Sequence, residues 1–365
     1  MARASGEAIG SLSGDPALLL AFASGDLDLA RSAAALERAA AGGVPAAGMT
    51  GKGLIGPAGR LDEGCVAIAF SNRIRAAVGA TREASRDLRA AGRDSTGRAL
   101  EELEDEADLI LLFIDSGHGD IAESIAGAYE AAGPGIPLAG GAAGGANRAH
   151  LHQGEASEDS TIAVAIASDG PIGIGNAQSA HPAGGPSLVT RSLGQHVEEI
   201  DGRPADQVYL EQLGLGGLAL DDEQFEQLAI THPLAQPELH GDVRLRHVLG
   251  RTEGGAIITG THIPAGAAIE FTELELEDLL AGGERSVEGA LATLGGGDPG
   301  ATLVFDCAGR RRALLDGLDR EVEAIAGALG DPTPPLAGLY THGEVARLKG
   351  AKGDRNHAVV TVVFG

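Results

Sequence analysis

The sequence predicts an α/β fold in which mixed sheets, built from pseudo-repeated strand-helix-strand-strand units, gather into two lobes. Three observations carry that expectation. One grammar is written three times along the chain. Its apolar runs are 4 to 8 residues long and bounded by Gly, Ser or Asp, which suits buried strands better than helices. Stretches of helical length alternate with those runs, and such alternation builds α/β layers. At 365 residues the chain exceeds the usual size of one compact core, so more than one domain is expected.

The first unit opens with the apolar run 17–24, continues through a helical stretch at 28–41, reaches Pro45-Ala46-Ala47-Gly48 and closes on 65–71. The second has an opening run at 109–115, a helix at 120–132, Pro137-Leu138-Ala139-Gly140 and a closing run at 161–167. The third has 302–305, a helix at 310–329, Pro335-Leu336-Ala337-Gly338 and 358–364. Asp28 and Asp120 are N-cap residues by type, the turn at 307–309 starts the third helix, and Gly42, Gly43, Gly133 and Gly330 stand where helices end. Each Pro-x-Ala-Gly segment is expected to be a strand in a comparable position of one or two mixed sheets, followed by a polar or Gly-rich loop.

Between the second and third units the character changes. Residues 170–178 and 243–271 read as further strands, the latter a meander broken at Gly254-Gly255 and Pro264-Ala265-Gly266, and a short helix starts at Pro204. The run Gly214-Leu215-Gly216-Gly217 followed by Asp221-Asp222-Glu223 places a boundary near residue 220, dividing the chain into 1–220 and 221–365.

Composition limits the partners. The formal net charge is −25, which repels phosphate backbones and anionic lipid heads, so neither nucleic acid nor a membrane is expected as a partner. Only Cys65 and Cys307 could pair, and the apolar run 17–23 has just Arg3 as a basic residue upstream, unlike a secretory signal. No apolar stretch approaches the ~20 residues of a spanning helix. These features predict a cytoplasmic protein.

The runs Phe305-Asp-Cys-Ala-Gly-Arg-Arg311, Pro335-Leu-Ala-Gly-Leu-Tyr-Thr-His-Gly-Glu344 and Asn356-His357 resemble the C-terminal half of FIST domains, the sensory domains named for F-box and intracellular signal transduction proteins. The resemblance extends through Val189-Thr-Arg-Ser192, Ile200-Asp-Gly202, Pro204-Ala205, Val243-Arg244, Ile263-Pro-Ala-Gly266 and Pro137-Leu-Ala-Gly-Gly141, and so covers nearly the whole chain. It implies a bacterial intracellular sensor that binds a small molecule such as an amino acid or a derivative. The family's N-terminal loop reads Gly-Cys-Ser/Thr-Thr-x-Gly-Glu, whereas here it is Gly48-Met49-Thr50-Gly51-Lys52-Gly53, without the cysteine and the glutamate. The sequence contains no kinase, F-box or cyclase segment, so output is expected to pass through a separate protein partner.

The three loops that follow the Pro-x-Ala-Gly elements are the candidate site, because loops at strand ends are where α/β proteins bind ligands. In the third loop Tyr340, Thr341, His342 and Glu344 offer a stacking face, a hydroxyl, an imidazole and a carboxylate. Cys307 stands between a predicted strand and a predicted helix beside Arg310, Arg311 and Arg312, a setting that favours a thiolate. The expected small polar ligand would lie between the halves, with Cys307, Arg310, Tyr340, Thr341, Glu344 and Asn356 on one side and Gly140, Gly141 and Asn147 on the other, together with Thr50.

An alternative is a hydrolase of small amides or thioesters, with Cys307 as nucleophile and His342 or Glu344 as base. A second alternative follows from the family, some of whose members look like haem-binding gas sensors. Haem would need an axial ligand, and His181, His232, His240, His247 and His262 are open candidates. Otherwise no cofactor and no metal is expected, since His150-Leu151-His152 has no third ligand at a telling spacing. Residues 48–53 lack P-loop spacing and residues 140–145 lack Gly-x-Gly-x-x-Gly, which excludes both nucleotide motifs.

Overall fold

A computed structural model describes residues 1–238, 243–348 and 352–365. It shows a body made of three interlocked α/β repeats and a second lobe inserted into the third. Each repeat is built on the same parallel pair. Pro16–Ser24 lies parallel to Ala46–Gly51, Leu109–Ile114 to Leu138–Ala142, and Ala301–Cys307 to Leu336–Thr341. The closing strand then packs antiparallel on the other side of the opening strand: Cys65–Ser71, Ser160–Ser168 and Ala358–Phe364 respectively.

Register makes the equivalence residue by residue. Gly48 faces Ala21, Gly140 faces Leu112 and Gly338 faces Val304 across the parallel pairs. A Cβ at these glycines would lie 2.1, 2.2 and 2.5 Å from the carbonyl oxygen opposite, so all three are glycine because the neighbouring backbone fills that space. The Pro-x-Ala-Gly segments are thus strands in equivalent places. They are divided among three sheets of 5, 6 and 6 strands, where the sequence suggested one or two.

The repeats are tied together by exchanged strands. Leu54–Gly56, from the first repeat, pairs with Leu336–Thr341 of the third. Glu344–Arg347, from the third, pairs with Leu138–Ala142 of the second. His150–His152, from the second, pairs with Ala46–Gly51 of the first. This exchange closes a ring with pseudo-threefold symmetry. Phe22, Phe113 and Phe305, one position after the facing residues named above, meet at its centre with ring centroids 6.0 to 6.2 Å apart, all fully buried. The inward faces of all three sheets share this core, and aromatic edge contacts add to its apolar burial.

Helices cover the outside. Asp28 caps Leu29–Ala39 by accepting from Arg31 N at 3.0 Å, and Asp120 caps Ile121–Ala132 by accepting from Ala122 N at 2.9 Å, as their residue types predict. The helix expected at 310–329 is two helices, Ala308–Leu314 and Leu318–Leu329, because Leu315 adopts a φ of 47° between them. Leu88–Glu102 and Leu276–Leu294 are further helices that the sequence reading did not mark.

Residues 181–274 form the second lobe. It enters from strand Ile172–Gln178 of the third repeat's sheet and returns into helix Leu276–Leu294, which packs on that same strand. Among the described residues, a nine-stranded sheet and two helices enclose a separate core around Tyr209, Phe225 and Phe271. Residue 220, where the sequence reading places a domain boundary, lies inside this lobe between Ala205–Gln212 and Asp222–Thr231, whose Tyr209 and Phe225 rings are 5.5 Å apart. The lobe is fastened to the body by a buried charge cluster, in which Asp354 accepts from Arg244 at 3.1 Å and pairs with Arg246, and at the surface by Asp120, which accepts from His262 N at 2.8 Å.

Candidate functional site

The ring of repeats brings the three loops to one end of the body. Their backbones join cyclically: Lys52 N donates to Tyr340 O at 2.8 Å, Gly144 N to Thr50 O at 2.9 Å, and His342 N to Ala142 O at 3.0 Å. Counting from Pro-x-Ala-Gly, Lys52, Gly144 and His342 occupy the same loop position. Gly53 and Gly343, which follow the first and the last of these, turn with φ of +125° and +126°, a conformation that favours glycine.

Between this crown and the inserted lobe lies a cavity of about 370 Å³. The body lines it with Lys52, Ser116, Arg148, Cys307, Arg312, Thr341, His342 and Asn356, and the lobe with Gln195, His247 and Leu249. Each repeat therefore supplies one cation. None of the ion pairs among the described residues involves Lys52, Arg148 or Arg312, and the lining includes no carboxylate. Burial together with Lys52 and Arg148 pulls His342 down to about 4, and burial together with Arg312 and His342 pulls His247 down to about 4. Both imidazoles are neutral at neutral pH. His247 Nδ1 lies 2.7 Å from Nε2 of the fully buried His357, and His247 N donates to Asn356 Oδ1 at 3.2 Å, which joins lobe and body at the cavity wall.

The residues singled out from sequence divide into three groups. Cys307, Thr341 and Asn356 line the cavity, as does His342. Cys307 ends its strand opposite Thr341, as expected, and its sulfur accepts from Gly309 N at 3.3 Å. Glu344 is fully buried behind them, with Oε1 3.0 Å from Thr341 Oγ1 and Oε2 accepting from Ala358 N at 3.2 Å.

Arg310 and Tyr340 form the second group and correct the expectation that they contact the ligand. Arg310 is fully buried beneath the strand end, where it donates to Asp306 at 3.0 Å and to Leu279 O at 2.8 Å and pairs with Glu321. The Tyr340 hydroxyl is 3.4 Å from the same Glu321, and its ring lies under the Arg311 guanidinium, 5.7 Å from the centroid. Helix Ala308–Leu314 turns Arg310 inward and Arg312 towards the cavity, a choice of face that seven residues with three consecutive arginines do not reveal.

The third group frames the loops. Gly140 is packed on Leu112 O, and a Cβ at Gly141 would meet Thr341 Cγ2 at 2.7 Å. Thr50 Oγ1 accepts from Ala149 N at 3.0 Å, and Asn147 Nδ2 donates to Gly25 O at 2.8 Å. The sequence reading did not include Lys52, Arg148, Arg312, Gln195 or His247 among the ligand contacts. Arg312 was marked only for its place beside Cys307 and His247 only as a haem candidate, while Lys52 had an unread signal in standing at the same loop position as His342.

The chemistry weighs against a resting cysteine nucleophile. Burial and the neighbouring Glu344 push the Cys307 thiol well up, and burial pushes Glu344 up as well, so both hold their protons. Haem fits poorly: Ile121 and Leu249 are the large apolar side chains of the lining, too few to cover a macrocycle's faces. Of the axial candidates His247 alone lines the cavity, and His240 lies outside the described residues. His150 and His152 turn to different partners, Ser160 Oγ at 3.1 Å and Ala46 O at 3.0 Å. Two groups, Asp115 with His118 and Asp159, and His181 with Glu275 and Asp278, bring three ligating atoms close together among the described residues.

An uncharacterised protein of Mycobacterium tuberculosis is 31% identical over 183 residues, 47% of this chain and 45% of that protein. An uncharacterised protein of Mycobacterium bovis is 31% identical over 184 residues, with the same shares. The chain thus spans about half the length of the curated relatives it matches. Among solved structures, a cyanuric acid hydrolase from A. caulinodans aligns over 99% of this chain and 93% of its own, with a TM-score of 0.36 and 12% identity. The FIST N domain matches residues 17–203 and the FIST C domain residues 205–347, so the chain belongs to the FIST family.

Proposed function

We propose that this FIST protein is a small-molecule-binding sensory protein whose ligand is an anion, held between the three-loop crown and the inserted lobe. The observation that carries this reading is the cavity lining: three cations without an ion-pair partner among the described residues and no carboxylate, in a chain whose formal net charge is −25. Surrounding acids disfavour an anion over most of such a surface, so a carboxylate-free cationic cavity selects where one can settle. A hydrogen bond to a charged group contributes about 1.5–3 kcal/mol.

The same lining argues against a free amino acid. An α-ammonium group would find no lining carboxylate, and Glu344 is buried and held neutral. An amino-acid derivative with its amine blocked meets no such conflict. Titration calorimetry with small carboxylates and N-acetyl amino acids tests the reading. Binding should weaken as salt rises, and Arg148→Gln should lower affinity about tenfold or more, the loss of one charge-assisted contact. Binding that is insensitive to both salt and Arg148→Gln would place the site elsewhere. Signal output through a separate protein partner is part of this proposal.

A further inference from the structure

We infer that the ligand of this cavity is a small dianion, with one anionic group on Lys52 and Arg148 beside His342 and the other on Arg312 beside His247. The inference rests on the reading of the cavity as an anion site and deepens it. The three cations do not come from one element. Lys52 and Arg148 belong to the loops of the first and second repeats, whose backbones join the His342 loop in the cyclic hydrogen bonds of the crown. Arg312 stands on helix Ala308–Leu314 of the third repeat, on the wall that the lobe completes with His247 and Leu249.

The electrostatic neighbours divide in the same way. Lys52 and Arg148 both act on His342, whereas Arg312 acts on His247. Uncharged groups, Ser116, Cys307, Thr341 and Asn356, occupy the rest of the polar body-side lining. A ligand with an anionic group at each end and a neutral middle matches this order. A monoanion leaves one cationic end without a counter-charge, whereas a second anionic group at the right spacing gains a further charge-assisted contact. A dicarboxylate and a carboxylate bearing a phosphate ester share the required chemistry.

The test is calorimetry on the full chain with malonate, succinate, glutarate and adipate, each against the monocarboxylate of matching length, and with glycerol 3-phosphate and inorganic phosphate. At least one dicarboxylate should bind ten times or more tightly than its monocarboxylate partner. Arg312→Gln should abolish that gap while leaving the monocarboxylate within about twofold, and Arg148→Gln should weaken both. Arg312 is exposed, and thermal melts of each variant check that the fold is intact. A tighter 3-phosphate arm would identify one group as a phosphate ester. Equal binding of monoanion and dianion, a gap that survives Arg312→Gln, or inorganic phosphate matching the best dicarboxylate would overturn the dianion and leave the anion site standing. Failure of every anion to bind would remove both.

Discussion

In the second repeat the strand Leu109–Ile114 leads into Asp115, and His150 stands on the exchanged strand beside it; in the third, Ala301–Cys307 ends on Cys307, and the position matching His150 holds Glu344. The first repeat has Ser24 and Leu54 in these places. Backbone, register and burial are shared, yet the titrating groups differ in sign. Asp115 sits beside the buried neutral His150 and also pairs with His118, whose imidazole it pushes up. Glu344 sits against Cys307, and both are pushed up towards their neutral forms. Threefold architecture therefore fixes where a side chain stands, and the chemistry at each stand is free to diverge. The cavity opens beside the third repeat's pair, where Cys307 lines it together with Lys52, Arg148 and Arg312.

The largest expected effect tests what the third repeat has and the second lacks. Arg310→Ala leaves Asp306 and Glu321 as buried carboxylates without their cation, and breaking such a network should cost about 3–5 kcal/mol in urea unfolding. The position matching Asp306 in the second repeat is the apolar Ile114, so no equivalent network exists there. A loss under about 1 kcal/mol would show that the arginine is dispensable to the fold.

Phe22→Ala, Phe113→Ala and Phe305→Ala examine what the repeats share. Each should cost about 3–5 kcal/mol, the range for a buried aromatic. The three losses should agree to within about 1 kcal/mol. A single variant far cheaper than the others would mean that the centre is less symmetric than the ring distances indicate.

The matched positions 150 and 344 should respond to pH in opposite directions. His150 is pulled down to about 4 by burial, so between about pH 6.5 and 4 the unfolded chain binds its proton and the native state does not. Stability is lost as pH falls through that window, by about 3 kcal/mol from this residue, and His150→Phe should remove that part of the acid sensitivity. Glu344 is raised, so the native state holds its proton after the unfolded chain has released one, and stability is lost as pH rises above about 4.5. Relative to the parent, Glu344→Gln should gain stability from pH 4.5 towards neutrality. Chemical denaturation across pH 4 to 8 checks both, and slopes of the same sign would break the comparison.

The smallest effect is kinetic. Burial is the larger influence on the Cys307 thiol and Glu344 holds its proton beside it, so Glu344→Gln should leave iodoacetamide labelling of Cys307 at neutral pH, followed by mass spectrometry with Cys65 as internal reference, essentially unchanged. A clearly faster rate would show that Glu344 is ionised beside the thiol.

Much of the fold was legible because its signals are local. Apolar runs such as 17–24 and 358–364 are buried strands whatever surrounds them, and Asp28 and Asp120 cap helices through bonds to residues two or three positions away. Leu88–Glu102 escaped notice because its apolar side is made of small residues: Gly92 lets the helix approach Ser124 so closely that a Cβ would lie 1.9 Å from that carbonyl oxygen. Glycine in that place weakens the helical signal and is what the packing requires. Arg310 was misread for a related reason, since its partner Glu321 lies on the next helix, beyond the turn at Leu315.

What the sequence determined by itself is the repeated unit: strand, helix, Pro-x-Ala-Gly strand and closing strand depend on side-chain period, caps and turn residues within a few positions of one another. Only the tertiary structure decided that the repeats exchange strands, that residues 181–274 fold as a lobe inside the third, and that Lys52, Arg148 and Arg312 meet at one cavity free of carboxylates. Which of many arginines lacks an acid partner depends on neighbours that are distant in the chain, so that property exists only once the ring has closed.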